Sequence, residues 1–231
     1  MRANEITETL SRLRLQPFLA AAGGNRARAL RLYRWNAQLA SAYWTPIHFL
    51  EVAVRNAVHD AFTAETGSHW WFADQDRTGP AEWMHEREGD ATRDAIRKIR
   101  EANEKKARAA DDPTPAPVTP GKVVAEVPFG FWVGLLSGRR ESGGSDYHFK
   151  VWVQGGVSER FAGTPKRSTL HGRLNALRAF RNRIAHHEHL LNQDLDALSE
   201  DMNVTLSSLC PETAAWVRAM SEVARTRSQR P

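Results

Sequence analysis

Apolar residues recur at helical spacing along most of this chain, and this periodicity limits the folds that it can adopt. Leu170, Leu177, Ile184 and Leu191 follow one another at intervals of seven, and Leu174 lies on the same side. A second stripe with steps of three or four comprises Ile47, Leu50, Val54, Val58, Ala61 and Phe62. We find no internal repeat and no convincing strand pattern, so the sequence predicts an all-α fold.

Helix start and stop signals divide the first 66 residues. Gly23-Gly24-Asn25 is typical of a helix end followed by a new N-cap. Thr45-Pro46 resembles another helix start, with proline at the first helical position. We therefore expect one helix up to about Trp44 and a second from Pro46 to about Gly67, packed as an antiparallel hairpin.

The rest of the chain is expected to complete a single domain over residues 1–231. Residues 91–109 predict a charged helix that projects into solvent, and the favourable pairs Asp94/Lys98, Glu101/Lys105 and Glu104/Arg108 support it. Three irregular segments are expected: a core plug at 69–72, an exposed linker near 110–120 and a flexible loop near 138–145. A buried helix is expected over 122–137, with a kink at Pro128. Further helices are expected over 166–190, 192–208 and 211–226.

Composition excludes several classes of protein. Hydrophobic residues make up 41% of the chain, which is enough for a globular core. The single cysteine, Cys210, excludes an internal disulfide framework and a zinc site built from several cysteines. No apolar core of a signal peptide follows Met1, and no run approaches the roughly 20 apolar residues that span a bilayer. We therefore expect a cytoplasmic protein with no membrane partner.

The net charge of +5 is concentrated in one segment. Residues 166–188 contain six basic residues and one acid, whereas the remainder of the chain is balanced. Such a segment can attract a polyanion such as RNA. The alternative is a solvated helix face whose spatial neighbours supply the acids.

The same segment contains the residues with catalytic potential. On an ideal helix with Arg178 at zero, Asn182 falls near ~40°, His186 near ~80° and Arg181 near ~300°, beside the apolar stripe. A guanidinium can bind two phosphate oxygens, and an imidazole can transfer protons near neutral pH. Arg181 and His186 are about 140° apart, so a symmetric dimer would be needed to bring them to one phosphate. The plainer alternative is a core helix whose polar end caps its own C-terminus.

Three blocks of the sequence resemble one known family. Arg181-Asn182-Arg183-Ile184-Ala185-His186-His187-Glu188 resembles the signature of the Abi-like (abortive-infection) proteins of the HEPN superfamily. Residues 49–59 and 124–136 resemble that family's first long helix and central helix. The resemblance implies a HEPN-type helical bundle with additional helices, frequent dimerisation and, in many members, metal-independent endoribonuclease activity in phage defence or toxin–antitoxin systems. The family pattern usually has proline after the glutamate, where this chain has His189.

The resemblance implies that Arg181 and His186 are catalytic and that Asn182 is the polar residue beside them. We predict that RNA 2′-hydroxyl attack gives a 2′,3′-cyclic phosphate, with His187 in a supporting role and no cofactor. Arg178 and Arg183 would attract the RNA backbone. Arg55 and Asn56 could line the same pocket, unless Arg55 simply pairs with Glu51 at i,i+4 spacing.

Other functions stay open at this stage. Some HEPN proteins bind RNA or other proteins without catalysis, and an antitoxin or regulatory partner is possible. The histidines at 186, 187 and 189 lack a further ligand set, so we expect no metal. Most tryptophans should be core residues rather than base-stacking platforms; those considered are Trp35, Trp44, Trp70, Trp71, Trp132 and Trp152.

Overall fold

The computed structural model describes residues 3–67, 81–111, 114–138, 146–163 and 166–231, and every regular element within these ranges is helical. The all-α prediction is therefore confirmed. The helices are α1 (Ala3–Thr9), α2 (Arg12–Ala21), α3 (Arg26–Thr66), α4 (Glu86–Ala109), α5 (Pro120–Glu126), α6 (Phe129–Leu135), a π-helical turn (His148–Val153), α7 (Val157–Arg160), α8 (Arg167–Ala185), α9 (Leu195–Leu209), α10 (Pro211–Met220) and α11 (Val223–Ser228).

Helix α3 is one continuous element of 41 residues, so the predicted hairpin at Thr45-Pro46 is wrong. The Asn25 side chain caps its start, as expected, by accepting a hydrogen bond from the Arg28 backbone N–H at 2.9 Å. Pro46 removes one hydrogen bond inside the helix. The buried face nevertheless stays in phase across it, from Tyr43 to Ile47. Continuous burial on both sides outweighs the local preference for a break.

The other helices pack around α3, which contacts α2, α6, α7, α8, α9, α10 and α11. Tyr43 of α3 meets Phe180 of α8 edge to face, with ring centroids 4.9 Å apart. Near the start of α3, the Trp35 indole N–H donates to the Thr226 carbonyl at 2.8 Å, which attaches the C-terminal helix. The core therefore surrounds one central helix.

Helix α4 is not a solvated projection, contrary to the prediction. Its apolar residues Ala95, Ile96 and Ile99 are buried, and the helix packs on α5 and α6. The Asn103 side-chain amide also donates to the Ala116 carbonyl at 2.6 Å. The sequence does not predict this packing, because alanine and a buried polar side chain such as Asn103 contribute little to an apolar pattern.

The predicted ion pairs on α4 are only partly found. Arg108 lies 3.5 Å from Glu104, as expected. Arg97 instead contacts both Asp94 and Glu101, at 3.1 and 3.2 Å. Lys98 reaches Glu126 of α5 at 3.0 Å, so tertiary contacts replace one of the local pairs.

Two predicted helices are broken in the structure. The expected kink at Pro128 is a full break between α5 and α6, because the residue before a proline is pushed out of the helical region, and Val127 is extended. The predicted helix 211–226 divides into α10 and α11 at Ser221. Residues 114–117 of the predicted linker are exposed, whereas residues 69–72 and 139–145 lie outside the described residues.

A buried carboxyl group joins α4 to the middle of the chain. Glu88 is 5% exposed and accepts a hydrogen bond from the Tyr147 hydroxyl at 3.2 Å. The Tyr147 oxygen in turn accepts from the His85 backbone N–H at 2.7 Å. Burial raises the pKa of the Glu88 carboxyl, and the hydrogen bond from Tyr147 offsets part of that rise.

We expect Glu88→Gln to have a higher free energy of unfolding than the wild type at high pH, and the difference should grow as the pH rises. A carboxyl whose pKa is raised by folding stabilises the native state below its unfolded pKa and loses that contribution as the pH passes the folded value. The amide cannot ionise, so it lacks this loss. Urea unfolding at several pH values from 4 to 8 measures the difference in unfolding free energy, and a difference that does not change with pH would contradict the expectation.

Candidate functional site

Helix α8 buries its apolar stripe and directs its charges to several neighbours. Leu170, Leu174, Leu177, Phe180 and Ile184 are buried, as the spacing predicts. Leu191 lies beyond the helix, which ends at Ala185 rather than near residue 190. The orientation of α8 therefore follows from its core face alone.

Carboxylates pair with three arginines of the basic segment, two of them from other helices and one, Glu188, from the segment itself. Arg173 lies 3.4 Å from Asp201, Arg183 lies 2.9 Å from Glu188, and Arg181 lies 2.8 Å from Glu51. The alternative in which neighbours supply the acids thus holds for Arg173 and Arg181. The segment is not a uniform attractor for a polyanion.

Arg181 occupies the most constrained position. Its Nε donates to Glu51 Oε1 at 2.8 Å, and its guanidinium carbon lies 5.5 Å from the centre of the Trp44 ring. The Arg181 and Glu51 side chains are 32% and 25% exposed. Because the described contacts use Nε and one face of the plane, the Nη groups are left to donate to an anion.

Two members of this site were not predicted in these roles. The sequence offers pairing of Glu51 with Arg55 as one alternative and predicts Trp44 to be a core residue, yet Trp44 is 45% exposed. Trp44, Glu51 and Arg55 follow at i, i+7 and i+11, which places them on one face of α3. The spacing indicates a shared face, but only the packing of α8 on α3 shows that Arg181 contacts it.

The two other candidates on α3 differ in exposure. Arg55 is half-buried, and within the described residues its buried Nε has no hydrogen-bond partner. Asn56 is exposed. Arg55 therefore lies one turn beyond Glu51, on the same face, while Asn56 points away from that face.

His186 and His187 form the turn that ends α8. The His187 N–H donates to the Ile184 carbonyl at 3.0 Å and the Glu188 N–H to the Arg183 carbonyl at 2.9 Å, the pattern of a Schellman motif. His187 occupies the left-handed position with φ 56°, where glycine is usual. The turn leaves both imidazoles exposed, and Asn182 is half-buried one turn earlier.

A cleft of about 400 Å³ separates this turn from α2. Arg14 of α2 crosses it and donates to the His187 carbonyl at 2.8 Å. The cleft brings together His186, His187, Arg183 and Glu188. Arg181, Asn182 and Arg178 are not among its lining residues, so within one chain Arg181 and His186 serve different surfaces, as the helical angle predicted.

Arg178 differs from the paired arginines of the segment. Its Nε and Nη2 donate to the neutral Asn175 side chain at 3.2 and 2.8 Å. Burial lowers the pKa of Arg178, and the nearby positive charge of Arg87 lowers it further. Arg178 therefore has no carboxylate partner among the described residues, and neither does Arg167 at the start of α8, which donates to the Leu136 carbonyl.

The described residues contain neither a cluster of potential metal ligands nor a membrane-spanning helix. Across the described ranges, no three side chains of His, Cys, Asp or Glu come together as a metal-binding group. None of the helices in those ranges is long and apolar enough to cross a membrane.

Comparison with known proteins identifies one family. A family model described as Abi-like protein matches residues 16–192, which is more than half of the chain. No curated protein and no solved structure matches. The matched range contains α3, α6, α8 and the turn after α8, and therefore all the candidate site residues.

We expect a double-mutant cycle to reveal coupling between Glu51 and Arg181. Glu51→Gln and Arg181→Gln should each destabilise the fold, and the pair should show a coupling of about 1 kcal/mol, because both groups are largely shielded from solvent. Chemical denaturation of the four proteins measures it. The exposed pair Asp94 and Arg97 is the control and should show no coupling; equal coupling in both cycles would contradict the assignment.

We expect His187→Gly to stabilise the protein by about 1 kcal/mol, or about 2–4 °C in Tm, because glycine adopts the left-handed conformation without a steric penalty. His187→Ala removes the same imidazole but keeps the penalty, so it should not be stabilising. Thermal unfolding of both variants separates the backbone effect from the loss of the side chain. Equal melting temperatures for the two variants would show that the turn is unstrained.

Proposed function

Because the chain belongs to the Abi-like protein family, which suggests a role in abortive infection or phage defence, we propose that it is a metal-independent endoribonuclease of HEPN type. Arg181 and His186 are its proposed catalytic residues. The polar stripe of α8 and the exposed turn after it would form the RNA-cleaving surface.

The arrangement of Arg181 carries this proposal. Glu51 binds its Nε and Trp44 covers one face, so the guanidinium is held in one orientation with its Nη edge unused. A preorganised donor of this kind stabilises charge that develops on a phosphate without having to reorient.

The proposed reaction needs only the RNA and these side chains. The 2′-oxygen attacks the adjacent phosphorus as His186 accepts the hydroxyl proton, and the bond from phosphorus to the 5′-oxygen breaks. The leaving 5′-oxygen takes a proton from His187 or from water, which gives a 2′,3′-cyclic phosphate and a 5′-hydroxyl. Arg181 offsets the negative charge on the phosphate in the transition state, and Asn182 supports it.

A homodimer would bring the two catalytic groups together. Arg181 lies against α3, whereas His186 lines the cleft beside α2, so one chain does not present both to the same phosphate. Two copies related by a two-fold axis would place Arg181 of one copy opposite His186 of the other. Trp44, which is 45% exposed and lies against Arg181, supplies an aromatic contact for such pairing.

A non-catalytic RNA-binding or protein-interaction module is the second candidate. The pairing of Arg173, Arg181 and Arg183 with carboxylates favours the protein-interaction module, because it leaves fewer free cations for phosphate. The RNA-binding module would instead depend on the cations that are not paired. Such a protein would bind RNA with a strong salt dependence and release no product.

We expect His186→Ala to lower RNA cleavage by about 10²–10⁴-fold, which is the usual contribution of a proton-transfer group. The fold should be unaffected, since His186 is exposed and its backbone N–H caps the helix. The assay is cleavage of total RNA by the purified protein in chelator, with analysis of product ends and melting temperature. The expected products carry 2′,3′-cyclic phosphate and 5′-hydroxyl ends.

Arg181→Ala should cause a similar loss, and Arg97→Ala is the matched control because Arg97 lies on α4 and pairs with two acids. Undiminished cleavage by His186→Ala would remove the mechanism. Tight RNA binding by the wild-type protein without any product would favour the non-catalytic candidate. Loss of activity on dilution, with recovery on concentration, would support the dimer.

A further inference from the structure

Two guanidinium groups face each other above Gly130, outside the contacts of the proposed catalytic site. A Cβ placed on Gly130 would lie 3.7 Å from Arg87 Nη2 and 3.9 Å from Arg178 Nη1. Arg87 extends from the first turn of α4, Arg178 from α8 and Gly130 from α6. Three helices therefore bring two positive charges to one point, over a residue that has no side chain.

No carboxylate in the described structure forms an ion pair with either guanidinium. Arg178 donates to Asn175, which is neutral and leaves Nη1 available. Arg87 interacts electrostatically with Glu88, the residue that follows it. The Glu88 carboxyl is buried and accepts a hydrogen bond from Tyr147, and burial raises its pKa. That group is poorly placed to compensate two arginines at the surface.

The neighbouring arginines behave differently. On α4, Arg93, Arg97 and Arg108 each pair with an acid. On α8, Arg173, Arg181 and Arg183 each do the same, whereas Arg167 donates to the Leu136 carbonyl. Bringing two like charges together is unfavourable unless an anion joins them, so the arrangement at Gly130 is suited to a bound anion rather than to stability.

We propose that Arg87 and Arg178 together bind one phosphodiester of single-stranded RNA. The inference rests on the proposed function and extends it with a second phosphate position. Arg178 precedes Arg181 by three residues, about 4.5 Å along the axis of α8, so one RNA strand can contact both positions. Two guanidinium groups whose Nη atoms lie 3.7 and 3.9 Å from one point can both donate to a single phosphate group.

The test measures binding of a labelled single-stranded oligouridine at several salt concentrations, in the His186→Ala background so that cleavage does not interfere. Arg87→Gln should reduce the slope of log affinity against log salt by about 0.7, which corresponds to roughly fivefold weaker binding at 0.1 M salt. Arg178→Gln should have a similar effect. The double variant should lose little more than either single variant, because both residues contact the same phosphate.

Arg97→Gln is the matched control, since it removes the same charge from the same helix at a residue already paired with Asp94 and Glu101. It should leave the slope unchanged. Equal losses for Arg87→Gln and Arg97→Gln, or no loss for Arg87→Gln, would overturn the inference. Strictly additive losses in the double variant would also overturn the single shared phosphate.

Inorganic phosphate distinguishes the source of the anion. At constant ionic strength, phosphate that raises the Tm of the wild type but not of Arg87→Gln, with RNA affinity unchanged by that substitution, would assign the site to free phosphate and overturn the RNA assignment. The test distinguishes failure of the proposed cleavage from failure of this binding site. If the wild type cuts no RNA but Arg87→Gln still lowers the salt slope, the nuclease is lost and this binding site is supported.

Discussion

The edge-to-face contact between Tyr43 and Phe180 determines how the two helices that carry the candidate site face each other. Both rings are buried, and each is followed in the chain by a residue at the edge of the apolar face. Those next residues are Trp44 and Arg181, which meet as a cation over an aromatic ring. Two turns along α3, Glu51 reaches the same guanidinium. The site is thus the polar border of a core contact, and its geometry depends on the packing beneath it.

Charge in this protein is organised by tertiary contacts rather than by sequence segments. The basic helix α8 is surrounded by acids from α3, from α9 and from the turn at its own end. Each of these pairs holds the side chain of one arginine in a fixed orientation. Arg87 and Arg178 differ, because neither pairs with a carboxylate among the described residues. Arg178 donates to the neutral Asn175 side chain, and the positive charge of Arg87 lies nearby. Uncompensated positive charge on α4 and α8 is therefore found at particular points rather than along a whole helix face.

The end of α8 combines a stable hydrogen-bond pattern with an unfavourable backbone conformation. The Schellman bonds satisfy the last carbonyl groups of the helix, and Arg14 binds the carbonyl of His187 from the opposite side of the cleft. Histidine at the left-handed position is less stable than glycine would be. A residue that is kept at a cost to stability is a reasonable candidate for function, and here it lies beside the proposed proton-transfer residue.

The sequence by itself determined the helical class, the core faces of α3 and α8, the cap at Asn25 and the angular separation of Arg181 from His186. These features follow from local periodicity and from side chains that act on their own backbone. It did not determine that α3 continues through Pro46, that α4 packs on α5 and α6, or that Glu51 selects Arg181 over Arg55. Those outcomes depend on contacts between residues far apart in the chain, where burial outweighs local preference. The meeting of Arg87 with Arg178 is of the same kind, because 91 positions separate two residues that only the arrangement of three helices brings together.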